Sequence, residues 1–393
     1  MTERETGEPN MPYEHGVLPT GIRSRLVSDI NGLTTHILEA GFETADRPCV
    51  LLLHGFPELA YSWRKVMGPL ADAGYHVVAP DQRGYGQTTG WDPNYDGDLR
   101  SFRLFNLTKD MLTLISALGY ESVAAVVGHD WGSAVAATSA LVRPDVFRSV
   151  VMMSGPFTGP PPLPFNTANE PRPESAEGLA RPSLDEELAA LDVPRKNYHQ
   201  YYSTRPANDE MHGCPQGVHD FLRAYYHHKS ADWKQNRPFP LAGRIAAEMA
   251  KMPTYYMMEL DRTMPETVAA EMPSAEAIAT CSWLTDDELR VYAGEYERNG
   301  FQGGLQWYRC ASSGINGADF ALFSGRTIDV PASFIAGKSD WGVYQAPGNL
   351  EQMQDHACTD WRGTHLLDRA GHWVQQEQPK AVSERLLAFL REQ

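Results

Sequence analysis

The sequence predicts an α/β protein, a mostly parallel sheet flanked by helices and interrupted by a mainly helical insertion. Three observations predict it. Short apolar runs recur at residues 47–53, 76–80, 122–127 and 149–153, each closing on a Gly, His, Asp or Ser turn, as strands buried on both faces require. Proline density then jumps to seven in the eighteen residues 156–173, more than a helix or an interior strand tolerates. Strand-sized runs return at 332–336 and 364–367.

In chain order, residues 1–20 are polar and mixed in charge and read as a flexible arm. Residues 21–155 carry the first part of the α/β core, 156–325 the helical insertion, and 326–393 the second part. Within the insertion Leu289, Tyr292 and Tyr296 recur at helical spacing. Pro379 opens a last helix with Val382, Leu386 and Leu390 on one face. No fixed period runs through the chain, which excludes solenoids and propellers. An insertion at this point lies over the carboxyl edge of the sheet, where open α/β folds bind ligands.

Composition narrows the partners. The 34 Lys and Arg against 50 Asp and Glu leave a net charge of −16 without a basic cluster, which argues against nucleic acid. The apolar runs are strand-sized, far below the roughly 18 residues of a membrane span, and residues 1–14 hold no apolar signal core. Cys49, Cys214, Cys281, Cys310 and Cys358 are scattered, odd in number and form no CxxC pair, which reads as reduced thiols in a cytoplasmic protein. A neutral or weakly polar small molecule is the expected partner.

The chemistry concentrates at Val126-Val127-Gly128-His129-Asp130-Trp131-Gly132. A strand, a tight turn and a helix, with small residues two before and two after Asp130, form the pattern of a nucleophile elbow, here with a carboxylate in place of serine. The bland reading, an Asp capping the following helix, needs no such spacing.

At these residues the chain resembles the α/β-hydrolases, and among them the epoxide hydrolases, over about residues 25–393. His54-Gly55-Phe56-Pro57-Glu58 matches that family's HGxP loop, Arg83-Gly84-Tyr85-Gly86 its RGYG turn, and residues 128–132 its GHDWG elbow. The resemblance implies that the Phe56 and Trp131 backbone N–H groups form an oxyanion hole and that Pro57 is cis. It also implies that His54, Pro57, Trp131 and Trp373 line the substrate site.

A carboxylate nucleophile needs a base to hydrolyse the ester it forms. Of thirteen histidines, His372 stands in Ala370-Gly371-His372-Trp373, between the last strand and the last helix, where the superfamily places its catalytic histidine. The acid that orients it follows one of two strands. The first carboxylate after Met153 is the distant Glu170, whereas Asp340 closes the run 332–336 within four residues. Asp340 is therefore the expected partner, with Asp355 and Asp368 as weaker rivals.

These groups do not choose a substrate. A halide leaves as an anion and wants N–H donors, whereas an epoxide oxygen becomes an alkoxide and needs a proton donor such as a phenol. The insertion holds ten of seventeen tyrosines. Tyr308 in Trp307-Tyr308-Arg309 is similar to the tyrosine of the epoxide-hydrolase WYR motif, which implies one oxirane-oxygen donor. Tyr198 is the best second donor, with Tyr201 and Tyr202 open because the spacing to Pro206 is one residue long. The expectation is an epoxide hydrolase that takes an epoxide and water to a vicinal diol with no cofactor or metal. The alternatives are a hydrolytic dehalogenase with the same Asp–His–Asp set and a non-catalytic ligand receptor on the same scaffold. The Pro-rich start of the insertion is a candidate lid hinge or homodimer contact.

Overall fold

The computed structural model describes residues 16–163 and 182–393. Residues 1–15 of the expected arm and 164–181 of the expected insertion, including the end of the proline-rich stretch, lie outside the described residues. Eight strands form the main sheet: β1 (Ile22–Ile30), β2 (Leu33–Ala40), β3 (Cys49–Leu53), β4 (His76–Pro80), β5 (Ala125–His129), β6 (Val150–Met153), β9 (Ala332–Gly337) and β10 (Trp361–Leu367). The insertion adds a small antiparallel pair, β7 (Arg195–Asn197) and β8 (Met257–Glu259). The main sheet runs β1-β2-β4-β3-β5-β6-β9-β10. From β4 to β10 every pairing is parallel, and β1 and β2 join antiparallel at one edge.

The apolar runs are strands because both faces of the sheet are covered. Along β3, Cys49, Leu51 and Leu53 enter one core while Val50 and Leu52 enter the other, the alternation a pleated strand imposes. Helices Leu104–Ala117 and Trp131–Val142 cover the first face, and helices Arg64–Asp72 and Pro379–Arg391 the second. The last helix buries Val382, Leu386 and Leu390, the stripe its spacing predicts.

Two strands of the main sheet, β1 and β2, escape the apolar-run criterion. β1 is an edge strand with Arg23, Ser28 and Asp29 exposed, so it carries no continuous apolar run.

Between β6 and β9 the described chain forms helices and the β7–β8 pair, whose apolar side chains join the first core. Helix Asp286–Asn299 buries Leu289, Tyr292 and Tyr296, as their spacing predicts. The register sets the site. Leu53 pairs with Gly128, His129 with Met153, Met153 with Ile335, and Leu367 with Gly337. The carboxyl ends of β3, β5, β6, β9 and β10 therefore lie level at one sheet edge, and the loops that follow them meet there.

Candidate active site

Asp130 sits at the turn from β5 into helix Trp131–Val142 with φ 53° and ψ −119°. That is a left-handed conformation unfavourable for a non-glycine residue. The turn closes because its neighbours are small. A Cβ on Gly132 would lie 2.6 Å from the His54 carbonyl oxygen, and one on Gly128 would meet the Gly132 backbone. The carboxylate is thereby held beyond the strand end, where its Oδ1 accepts the Phe56 N–H at 2.9 Å.

His372 approaches from the loop after β10. Its Nε2 lies 3.6 Å from Asp130 Oδ2 and hydrogen-bonds no other described group. On the other side of the ring, Nδ1 lies 3.1 Å from Asp340 Oδ1 and 2.8 Å from Ser154 Oγ. Ser154 donates to Asp340 Oδ2 at 2.5 Å, and the Gly342 N–H donates to Oδ1 at 2.7 Å. His372 and Asp340 are buried, and the Asp130 side chain is 15% exposed. Burial alone would raise the Asp130 pKa, but the His372 contact outweighs it and holds the carboxyl below its ordinary range. Asp340 is likewise lowered, with burial opposed by the His372 charge and the Ser154 and Gly342 bonds.

The histidine loop is clamped. Glu377 accepts the N–H groups of Gly371 and Trp373, each at 3.0 Å, and that of Ala231 at 2.8 Å. The His372 N–H donates to the Lys229 carbonyl. The loop is thus fastened on both sides of the imidazole and to the insertion.

The insertion reaches the site through a backbone-to-backbone contact. A Cβ on Gly84 would lie 2.7 Å from the Gly303 carbonyl carbon, and one on Gly304 would lie 2.6 Å from the Phe56 ring. Helix Gln302–Ser312 thus presses onto the core and brings Tyr308 down. The Tyr308 ring stands edge-on to Trp131 at 5.1 Å and to Phe56 at 5.4 Å. Its hydroxyl has no hydrogen-bond partner among the described residues. Tyr198, at the start of helix Tyr198–Tyr202, lies 5.9 Å from Tyr308 between ring centres and donates to Gln345 Oε1 at 3.3 Å. Burial, reinforced by the Asp130 charge, pushes both phenols well above their ordinary pKa.

Tyr198 lines a cavity of about 150 Å³ with Asp130, Trp131, Phe157, His199 and Gln345. The rival tyrosines point elsewhere. Tyr202 donates to Tyr225, and Tyr201 lies against Glu210 and carries Lys196 over its ring.

The remaining expected site residues divide. Trp131 lines the cavity. The Phe56–Pro57 peptide is cis, and the Pro57 carbonyl accepts the Tyr226 hydroxyl. Trp373 is fully buried beside His372, with its indole N–H on the Tyr226 carbonyl. His54 stands apart from the expectation of substrate contact. It is wholly buried, its Nδ1 hydrogen-bonds the Gly55 carbonyl oxygen, and its Nε2 accepts the Gln82 N–H. Its place in the HGxP loop serves the turn, since a ring with both nitrogens engaged has none left for a ligand. Arg83 is bound to Asp110, as befits a structural group. Asp368 pairs with Lys338 at the surface and Asp355 is exposed, so of these three carboxylates Asp340 is the one beside His372.

The sequence profile described as alpha/beta hydrolase fold matches residues 48–379. The chain is 33% identical over 376 residues to epoxide hydrolase A of Mycobacterium tuberculosis, covering 93% of this chain and 96% of that protein. The chain belongs to the epoxide hydrolases of the α/β-hydrolase fold. Epoxide hydrolase B of the same organism is 32% identical over 355 residues, 87% of this chain and 91% of that one. Among solved structures, an epoxide hydrolase from an endophytic Streptomyces superposes with a TM-score of 0.72 at 30% identity, covering 95% of this chain and 96% of that one. Potato (Solanum tuberosum) epoxide hydrolase I gives 0.69 at 29%, covering 95% and 100%.

Several groups around the site escaped the sequence reading. Ser154 bridges Asp340 and His372, but a serine after a strand carries no signal; only its φ of 68° marks it. His129 lies behind His372, its Nε2 2.7 Å from the His372 carbonyl and its Nδ1 2.5 Å from Glu58. The Glu58 charge outweighs burial and keeps the His129 pKa raised. His199, 6.1 Å over Trp131, is pushed down to about 4 by burial and is uncharged at neutral pH. Among the described residues, no helix is long and apolar enough to cross a membrane.

Proposed function

We propose that the protein converts an epoxide and water to a vicinal diol through a covalent ester on Asp130. One observation carries the reading: a carboxylate anchored by the Phe56 N–H lies beside an imidazole and shares a cavity with the Tyr198 phenol, while the Tyr308 phenol stands edge-on to the adjoining Trp131. Asp130 Oδ2 attacks an oxirane carbon, the C–O bond breaks, and the departing oxygen accepts hydrogen bonds from Tyr198 and Tyr308 and takes the proton of one of them, leaving a tyrosinate. Their raised pKa keeps them protonated as donors at neutral pH. His372, oriented by Asp340, then takes a proton from water as the water adds to the ester carbon. The Phe56 and Trp131 N–H groups stabilise the oxyanion. The adduct collapses, the diol leaves with the proton from His372, and the remaining water proton passes from the Asp130 carboxyl to the tyrosinate, which regenerates the carboxylate and the phenol.

The similar proteins of known sequence and structure are named epoxide hydrolases, which supports the substrate class. In this reading residues 156–325 act as a cap over the core. The test is a single turnover in heavy-oxygen water, followed by peptide mass spectrometry and an epoxide panel. One label in Asp130 is expected; an unlabelled Asp130 after turnover overturns the ester.

A further inference from the structure

The mechanism leaves one charged group at the site without a task. Lys229, the last residue of helix Gly217–Lys229, is 2% exposed, where an ammonium is costly unless paired. Among the described residues it pairs with no carboxylate. Its Nζ instead lies 4.9 Å from the ring centre of Tyr256, 5.4 Å from those of Tyr225 and Trp373, and 5.8 Å from that of Tyr255. Such a box stabilises a cation by the ring quadrupoles and leaves its charge unquenched by any close counter-ion. The box adjoins the reacting groups on two sides. Lys229's own carbonyl accepts the His372 N–H at 2.9 Å, and the Tyr256 ring lies 5.0 Å from that of Tyr198.

We infer that Lys229 is a positioning residue that acts through Asp130, its ammonium favouring negative charge there and so driving hydrolysis of the ester. The inference rests on the ester mechanism proposed above. The direction follows from counting charge on Asp130. The resting carboxylate carries −1 and the ester none. When water adds, its proton passes to His372, the carbonyl electron pair moves onto oxygen, and −1 returns. A fixed cation nearby stabilises the first and third states relative to the second. It therefore restrains ester formation and accelerates ester hydrolysis. Two electrostatic responses agree: the Lys229 charge is among those that lower Asp130, and burial brings Lys229 itself down to about 8, against the pull of Asp130, Asp340 and Glu58.

The test separates the two steps. Full-length protein reacts with styrene oxide under single-turnover conditions, with ester formation and decay followed by tryptophan fluorescence and by intact mass after acid quench. In Lys229→Met and Lys229→Gln, ester formation is expected to be unchanged or faster, while hydrolysis slows on the order of tenfold and ester accumulates. Lys229→Arg, which keeps the charge, is expected to return the balance of the two steps toward wild type. The glutamine variant keeps the box filled by a neutral hydrogen-bonding group should methionine impair folding. Parallel slowing of both steps, unchanged hydrolysis, or an arginine variant that behaves like glutamine would overturn the assignment. Absence of ester in the wild type would overturn the reading of Asp130, and this inference with it.

Discussion

Replacing Tyr308 by phenylalanine removes one oxygen atom from the site and little from the fold. The hydroxyl hydrogen-bonds no described group, so its loss leaves no partner unsatisfied. The ring contacts to Trp131, Phe56, Tyr202 and His199, at 5.1, 5.4, 4.8 and 5.0 Å between ring centres, are kept. Thermal stability is therefore expected to stay within about 0.5 kcal/mol of wild type, as for a substitution that breaks no identified contact. What is lost is one hydrogen bond to an oxygen that becomes charged, worth about 1.5–3 kcal/mol. That corresponds to a fall of about 10- to 150-fold in the rate of ester formation.

Tyr198 remains to share the proton, so the double variant with Tyr198→Phe should lose far more than either single one. Both phenols are held well above their ordinary pKa by burial. Neither should therefore produce an alkaline fall in ester formation below about pH 10, the pKa of a free phenol. Stopped-flow fluorescence under single turnover reads the rate directly, with Trp131 edge-on to Tyr308. A Tyr308→Phe enzyme that forms ester within twofold of wild type would refute the donor role and favour a leaving group that needs no proton, such as halide.

Three further outcomes follow from contacts around the site. Glu377→Ala leaves the N–H groups of Gly371, Trp373 and Ala231 without their acceptor, at about 1–3 kcal/mol for each group that stays buried. A lowered urea midpoint together with a slower hydrolytic step is expected, and unchanged values of both would contradict the clamp. Gly303→Ala pushes a Cβ into the Gly84 backbone, which cannot yield as a side-chain tip would. A loss of about 2 kcal/mol or more, with ester formation impaired, should appear in thermal melts and single-turnover rates. A fully stable variant would show that the insertion and core can separate there freely. Glu39 accepts from Arg23, Arg25 and His76, and these bonds outweigh burial to lower its pKa to about 2. Because the folded pKa is depressed, the stabilisation is present above about pH 4.5 and is lost as pH falls toward 2. The arginine side chains are 48% and 39% exposed, so screening reduces the worth of the cluster to about 1–2 kcal/mol. Urea unfolding of Glu39→Gln should approach wild type as pH falls to about 2 and fall below it at pH 7; equal stability at pH 7 would dismiss the cluster.

What the sequence determined by itself is local. Five-residue apolar runs read as buried parallel strands because both faces of each are covered by helices. Asp130 could be singled out because a strained elbow demands small residues at fixed offsets, and Gly128 and Gly132 are those residues. His372 was legible from its place between the last strand and the last helix, and Asp340 from the absence of a carboxylate after β6. Other features are set by contacts between residues far apart in the chain, which no local pattern encodes. Of Tyr198, Tyr201 and Tyr202, only Tyr198 lines the Asp130 cavity, because of how helix Tyr198–Tyr202 is turned. His54 sits in a motif of the site yet spends both nitrogens on its own turn. Ser154 and Lys229 are ordinary residues in sequence. The level ends of the strands and the fold of the insertion place the one between Asp340 and His372 and enclose the other in four aromatic rings. Backbone geometry and burial leave a periodic trace in sequence. The meeting of the sheet edge with the insertion does not, because it depends on how separate elements pack.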